Sequence, residues 1–215
     1  MNLIYSDEHL LVLNKPAGIS VLPEGWDKDA PYLVKMLEAE YERIWVVHRL
    51  DKMTSGVMVF ARDPEAHRDL SIQFEKHQVE KTYHALVEGN PRWEEHTARH
   101  PLRADAGRSH RTVVDNRDGK PSVTRFRVLE RFPRACLLEA IPETGRTHQV
   151  RVHAAELGHP LIGDSFYHAS ATDWIARPAL HALSLAFSQP VTREPLTFTA
   201  PCPEDFKSAL ERARV

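Results

Sequence analysis

The sequence predicts an α+β fold: a mixed, mostly antiparallel sheet flanked by helices and loops, in one domain over residues 1–215. Three observations predict it. Short apolar runs such as Leu10-Leu11-Val12-Leu13 and Val57 to Ala61 end at Gly, Pro and Asn, as strands do. Pro31, Asp63-Pro64 and Pro203 each open a segment whose apolar residues recur at helical spacing. No repeat, low-complexity tract or linker divides the chain, and 215 residues suffice for one good-sized core or at most two small ones.

The elements follow in order. Leu10 to Leu13 is a strand that ends in the turn Asn14-Lys15-Pro16-Ala17-Gly18. From Pro31, a helix places Leu33, Val34, Leu37 and Tyr41 on one face. Trp45-Val46-Val47 and Val57 to Ala61 are strands on either side of a polar loop. Asp63 is suited to cap a helix with Pro64 at its first position, running to about Lys76 with Leu70 and Phe74 one turn apart. Thr82 to Val87 alternates, with Tyr83, Ala85 and Val87 on one face. The basic, turn-rich stretch from His96 to Lys120 reads as irregular or as a hairpin. Val123 to Leu129 and Ala135 to Ile141 are strands joined at the Phe132-Pro133 corner, and a helix from about Thr147 to Leu157 stops at Gly158. Leu183 to Phe187 and Leu196 to Phe198 close the sheet, before a tail helix carrying Phe206 and Leu210.

Composition narrows the function. No apolar run is long enough to cross a bilayer, and MNLIYSDEHL has no basic segment followed by an apolar core, so no export signal is expected and the cytoplasm is the expected address. Cys136 and Cys202 stand far apart with no zinc spacing, and the histidines form no HExxH or related pattern, so no metal is expected. Net charge is −2, yet residues 92–151 hold 13 Lys and Arg against 8 Asp and Glu, leaving 15 against 22 elsewhere. Most of those bases are arginines, which suit bidentate phosphate contacts. The run is either a solvated face or a surface for RNA, because phosphate neutralisation needs only a local basic patch.

The most informative segment is HRLDKMTSG, residues 48–56. It sets Asp51 on a short loop between two strands, where chemistry is commonly placed. No GxSxG elbow, reactive-cysteine motif or metal cluster accompanies it. The carboxylate then serves either as an ordinary turn residue or as a nucleophile or base in its own right. This loop resembles the catalytic signature of the RluA-type pseudouridine synthases, which isomerise uridine in ribosomal or transfer RNA. EKTYHALVEG (residues 80–89) and ETGRTHQVRVHAAELGHPLIGDSFY (residues 143–167) extend the resemblance, which runs from Leu10-Leu11-Val12-Leu13-Asn14-Lys15-Pro16 to Leu180-His181-Ala182.

The resemblance implies a single pseudouridine-synthase catalytic domain that needs no cofactor and acts on structured RNA, not DNA. It implies that Asp51 is the catalytic aspartate and that Tyr83 lies against the target uracil. Arg151 would pair with the aspartate, since a neighbouring guanidinium favours an ionised carboxylate. Arg49 would enter the RNA where the base has left, and Arg108 and Arg111 would lie on phosphates. His148 and Arg151 are expected to share a helix face by i, i+3 spacing and to point roughly the same way, with His148 a further substrate contact. Gly163-Asp164 reads as a tight turn with a structural role. Many relatives carry an N-terminal S4-type RNA-binding domain, whereas this chain is expected to begin at the catalytic domain as a short form. Two rivals remain: a non-catalytic RNA-binding module on the same fold, and an aspartyl-phosphate enzyme suggested by Asp51-Lys52 ahead of Thr54, though Met53 spoils that spacing.

Overall fold

In the computed structural model, which describes residues 2–23, 30–106 and 111–215, a tight turn at Asp7 starts the fold. Its carboxylate accepts from the amides of His9 (2.8 Å) and Leu10 (2.6 Å). That turn joins strand β1 (Asn2–Ser6) to β2 (Leu10–Lys15) in an antiparallel pair. Helix α1 (Leu33–Tyr41) buries Leu33, Val34 and Leu37, the face that its spacing predicts. The short strand β3 (Trp45–Val46) and β4 (Ser55–Ala61) then pair antiparallel, and β4 also pairs with β2. All seven residues of β4 are buried, which is why its apolar run does not alternate.

Helix α2 (Pro64–Glu75) begins where the sequence predicts. The Asp63 carboxylate accepts from the amides of Glu65 and Ala66, both at 2.8 Å, satisfying two of the donors a helix start leaves open. These elements belong to a first compact unit, residues 1–80 with 182–202.

The second unit comprises residues 81–181 with 203–215. Strand β5 (Glu80–Glu88) leads into β6 (Glu95–Ala98), β7 (Leu102–Ala106), β8 (Arg111–Val114), β9 (Thr124–Arg131) and β10 (Ala135–Pro142). Their order in the sheet is β5-β10-β9-β6, every pairing antiparallel, while β7 and β8 form a separate hairpin. The basic stretch predicted as irregular or hairpin therefore holds an edge strand and a two-stranded ribbon. Ala85, Val87, Phe126, Leu138, Val150 and Leu161 form the core of this unit.

Helix α3 (Gln149–Glu156) lies against that core through Val150 and Ala154. Strand β11 (Leu180–Ser188) has its first two residues in the second unit and continues into the first, beside β4 and β12 (Pro195–Thr199). Helix α4 (Glu204–Ala213) returns to the second unit, burying Phe206 and Ala209, and the Asp205 carboxylate takes two bonds from Arg177 at 2.7 and 2.9 Å. Among the described residues the architecture is α+β, with a mostly antiparallel sheet and four helices. Among the described residues, no helix is long and apolar enough to cross a membrane.

Candidate active site

In the first unit, β3 and β4 fix both ends of the loop carrying Asp51. Leu50 and Thr54 are buried and anchor it from within, Asp51 is half-buried, and Arg49 is exposed. The amide of Thr54 donates to the carbonyl of Asp51 at 3.0 Å, which closes a turn. Two groups from the end of β2 and the turn that follows it hold the next carbonyl: Lys15 Nζ (3.1 Å) and the Gly18 amide (2.9 Å) both donate to Lys52 O. Lys15 is fully buried, and its Nζ also donates to Pro16 O (2.9 Å) and Ile19 O (2.8 Å). Three donations use the three N–H bonds of an ammonium.

His48, whose role the sequence leaves open, is an anchor of this loop. Its ring stacks on Phe74 of α2 at 4.5 Å and 17°, and its Nε2 accepts from the Val59 amide at 3.1 Å. Gly56, just past the loop, is required by close approach. Its φ is +125°, and a Cβ there would stand 2.1 Å from the carbonyl oxygen of Ala182 in β11.

In the second unit, Arg151 of α3 is buried and makes two parallel bonds to Asp164, Nε to Oδ2 at 2.6 Å and Nη2 to Oδ1 at 2.8 Å. Its guanidinium carbon lies 4.9 Å from the ring centre of Tyr167 and 5.8 Å from that of Phe166. The Tyr167 hydroxyl accepts from the Thr112 amide at 3.2 Å and lies 2.8 Å from His148 Nδ1. Arg111 joins from β8: its guanidinium sits 4.8 Å from the Phe166 ring, with Nη1 3.3 Å from His168 Nε2. A cavity of about 500 Å³ opens beside these groups, lined among others by Arg111, Thr112, Val152, Tyr167 and His168.

The predicted residues thus fall as follows. Arg111, His148 and Arg151 gather around the Phe166-Tyr167 pair. Tyr83 is in the same unit, half-buried on β5 opposite Ala140 and packed against the core. Asp51 and Arg49 belong to the first unit, and Arg108 lies outside the described residues.

One expectation is corrected. His148 is not part of a helix face, because its backbone is left-handed (φ 54°, ψ 17°) and α3 starts only at Gln149. The cause is the Gln149 side chain, whose Oε1 accepts from Thr144 Oγ1 (2.7 Å) and the Arg146 amide (3.0 Å), winding residues 144–148 into a turn. His148 and Arg151 still meet, through Tyr167 instead of through i, i+3 spacing.

Two groups do more than their sequence context predicts. The sequence predicts a turn at Asp164, and the structure has it: Gly163 has φ +76°, and a Cβ there would meet Arg177 O at 2.4 Å. The carboxylate beside it binds Arg151 as well. Lys81, two residues before Tyr83, donates to Thr144 O at 3.3 Å, and burial pushes its ammonium down to about 8. Burial likewise raises the Tyr167 phenol, holding it protonated. Among the described residues, no group of three or more His, Cys, Asp or Glu is placed to hold a metal ion.

Comparison with known proteins bears on this arrangement. The profile of a family described as RNA pseudouridylate synthase matches residues 9–156. The ribosomal large subunit pseudouridine synthase D of Zymomonas mobilis is 36% identical, across 96% of this chain and 71% of that protein. The ribosomal large subunit pseudouridine synthase C of Vibrio vulnificus is 38% identical, across 99% of this chain and 69% of that protein. Among solved structures, the human RNA pseudouridylate synthase domain containing 4 superposes with a TM-score of 0.80 at 28% identity, covering 99% of this chain and 93% of that one.

Proposed function

The chain belongs to the RNA pseudouridylate synthase family, and on that premise we propose that it isomerises uridine in large-subunit ribosomal RNA with Asp51 as the catalytic carboxylate. The observation that carries the assignment is the clamped HRLDKMTSG loop, in which two donors from another segment hold the carbonyl next to Asp51. A half-buried carboxylate on a rigid loop is a pre-oriented nucleophile or base. The family match runs across both compact units, from residue 9 to residue 156, and we read them as one catalytic domain.

The reaction breaks the N1–C1′ bond of uridine, turns the uracil and rejoins it to C1′ through C5, after which C5 gives up its proton. Atoms and oxidation state are conserved between reactant and product, so the proposal needs no cofactor. Asp51 either attacks the sugar or removes a sugar proton. A base inside a helix is out of reach, so the target nucleotide of an RNA stem-loop must swing out before reaction. We assign Tyr83 to the exposed uracil face, where an aromatic ring replaces lost stacking. We assign Arg151 to the site as the guanidinium that faces the reacting groups. Arg111 and His148 bind the RNA around the target, with Arg108 and Arg49 as further RNA contacts. The work is cytoplasmic in this reading.

The test uses large-subunit ribosomal RNA transcribed with [5-³H]uridine, because each isomerisation releases the C5 tritium to water. Wild-type protein is expected to release it, with or without EDTA. Asp51→Asn is expected to bind the RNA and release none. Release by the variant at the wild-type rate removes Asp51 from the mechanism. No release from ribosomal RNA, with release from transfer RNA, changes the substrate.

A further inference from the structure

We propose that Asp164 is the positioning residue for Arg151, and that the turn Gly163-Asp164-Ser165-Phe166-Tyr167 is a cradle fixing the plane of that guanidinium. The proposal rests on the reading that Arg151 serves the reaction.

Two parallel N–H···O bonds to one carboxylate, at 2.6 and 2.8 Å, fix the guanidinium within its plane. The Tyr167 ring, 4.9 Å away, restricts it out of plane. Carboxylate and ring come from one short segment, so the turn sets both restraints together. Once Nε and Nη2 are held, the direction of Nη1 follows from the rigid fork of the group.

Folding alone gives no reason for this pair. The Arg151 and Asp164 side chains are 9% and 1% exposed, and burying two charges costs several kcal/mol of lost hydration per ion, which apolar residues of like volume avoid. What the ion pair supplies, and a leucine pair does not, is a guanidinium aimed in one direction. Gly163 adds to the case, since its φ of +76° and the carbonyls of Ile175 and Arg177 leave no space for a side chain.

The experiment measures single-turnover tritium release from [5-³H]uridine-labelled large-subunit ribosomal RNA with enzyme in excess, beside RNA affinity by filter binding. Asp164→Asn keeps the shape and loses the charge. Asp164→Glu keeps the charge pair, and so the fold, but displaces the guanidinium by about 1 Å. A displacement of that size lowers the rate by about 100-fold, and RNA affinity is expected to stay within about threefold. In an Arg151→Lys background, where no two-pronged bond can form, the same substitutions should change the rate by less than about threefold, the non-additivity of residues acting through one another.

A wild-type single-turnover rate in either folded Asp164 variant overturns the proposal, even if the variant is less stable. Should Arg151→Lys itself react at the wild-type rate, the role of Arg151 fails. A slow Arg151→Lys beside wild-type rates in the Asp164 variants sinks only the positioning claim.

Discussion

Replacing Lys15 by Met isolates what holds the Asp51 loop. Methionine keeps the length and apolar stem of the side chain and deletes every donor at its tip. Lys15 is fully buried, and the change strands the carbonyls of Pro16, Ile19 and Lys52, bonded now at 2.9, 2.8 and 3.1 Å. A stranded buried acceptor costs about 1–3 kcal/mol. The Lys52 carbonyl keeps the Gly18 amide at 2.9 Å, and Pro16 is exposed, so water can serve its carbonyl. One stranded acceptor, Ile19 O, and two compensated ones give a loss of about 1–3 kcal/mol. A domain of ordinary stability, about 5–15 kcal/mol, survives that and stays folded.

The Lys52 carbonyl then loses Lys15 and keeps the Gly18 amide, and the expected consequence is a shift of Asp51. Urea unfolding followed by circular dichroism measures the first effect, and single-turnover tritium release measures the second. Expected are a stability loss in that range and a rate reduced by at least about tenfold, with RNA affinity unchanged. A loss below about 1 kcal/mol refutes the hydrogen-bond argument. A large loss with an unchanged rate refutes the link between the clamp and the chemistry.

Two further substitutions probe pH-dependent stability. Asp63→Ala removes the cap of α2 and should cost about 1–2 kcal/mol in urea unfolding at neutral pH. The hydrogen bond that His9 Nδ1 donates to the Asp63 carboxylate (2.7 Å) raises His9 above its usual range, so that contribution is complete below about pH 6.5 and is lost as pH rises through the raised value. Partial burial pushes Asp63 itself up, but the Ala66 amide, His9 and the Glu65 amide hold it lower overall, so its contribution is lost as pH falls into the acid range. A difference between wild type and variant that stays flat on both sides of neutrality would contradict this assignment. At Lys81, burial lowers the folded pKa to about 8 from 10.5, so the unfolded chain binds more protons between those values and folding gains stability as pH rises through them. Lys81→Met should lack that gain of up to about 3 kcal/mol, and parallel pH dependences for the two proteins would show the ammonium to be well hydrated.

What the sequence displayed and what it hid divide along the range of the interactions. The Asp63-Pro64 start of α2, the buried face of α1 and the Phe132-Pro133 corner between β9 and β10 follow from neighbours in the chain, and the structure has them. Strand β1 escaped because Asn2–Ser6 is an exposed to half-buried edge with no alternation strong enough to mark it. Helix α3 starts later than its pattern predicts because a side chain inside the helix, Gln149, reaches back to bind Thr144 and Arg146, and no propensity reports that. Of the site, the loop around Asp51 was legible as a contiguous motif. Asp164 was not, since its meaning depends on an arginine 13 residues earlier that only the fold brings beside it. Lys15 read as a lysine in a turn, and its burial against three carbonyls is a tertiary fact.

The two segments assigned to chemistry are each held by a buried cation, and the two cations differ in a way that bears on how the fold could change. Lys15 binds backbone carbonyls, which no substitution can delete, so removing the lysine can only leave acceptors unserved. Arg151 binds a side chain, and both partners can be replaced together by apolar residues without stranding either. The first interaction is therefore constrained by the fold itself, whatever the chain does. The second can be exchanged as a pair, and on the proposal above it is kept for the directed guanidinium. A relative that kept this turn but had no use for the reaction would be free to exchange the Arg151 and Asp164 positions for a well-packed apolar pair and gain stability, while the position of Lys15 would stay closed to it.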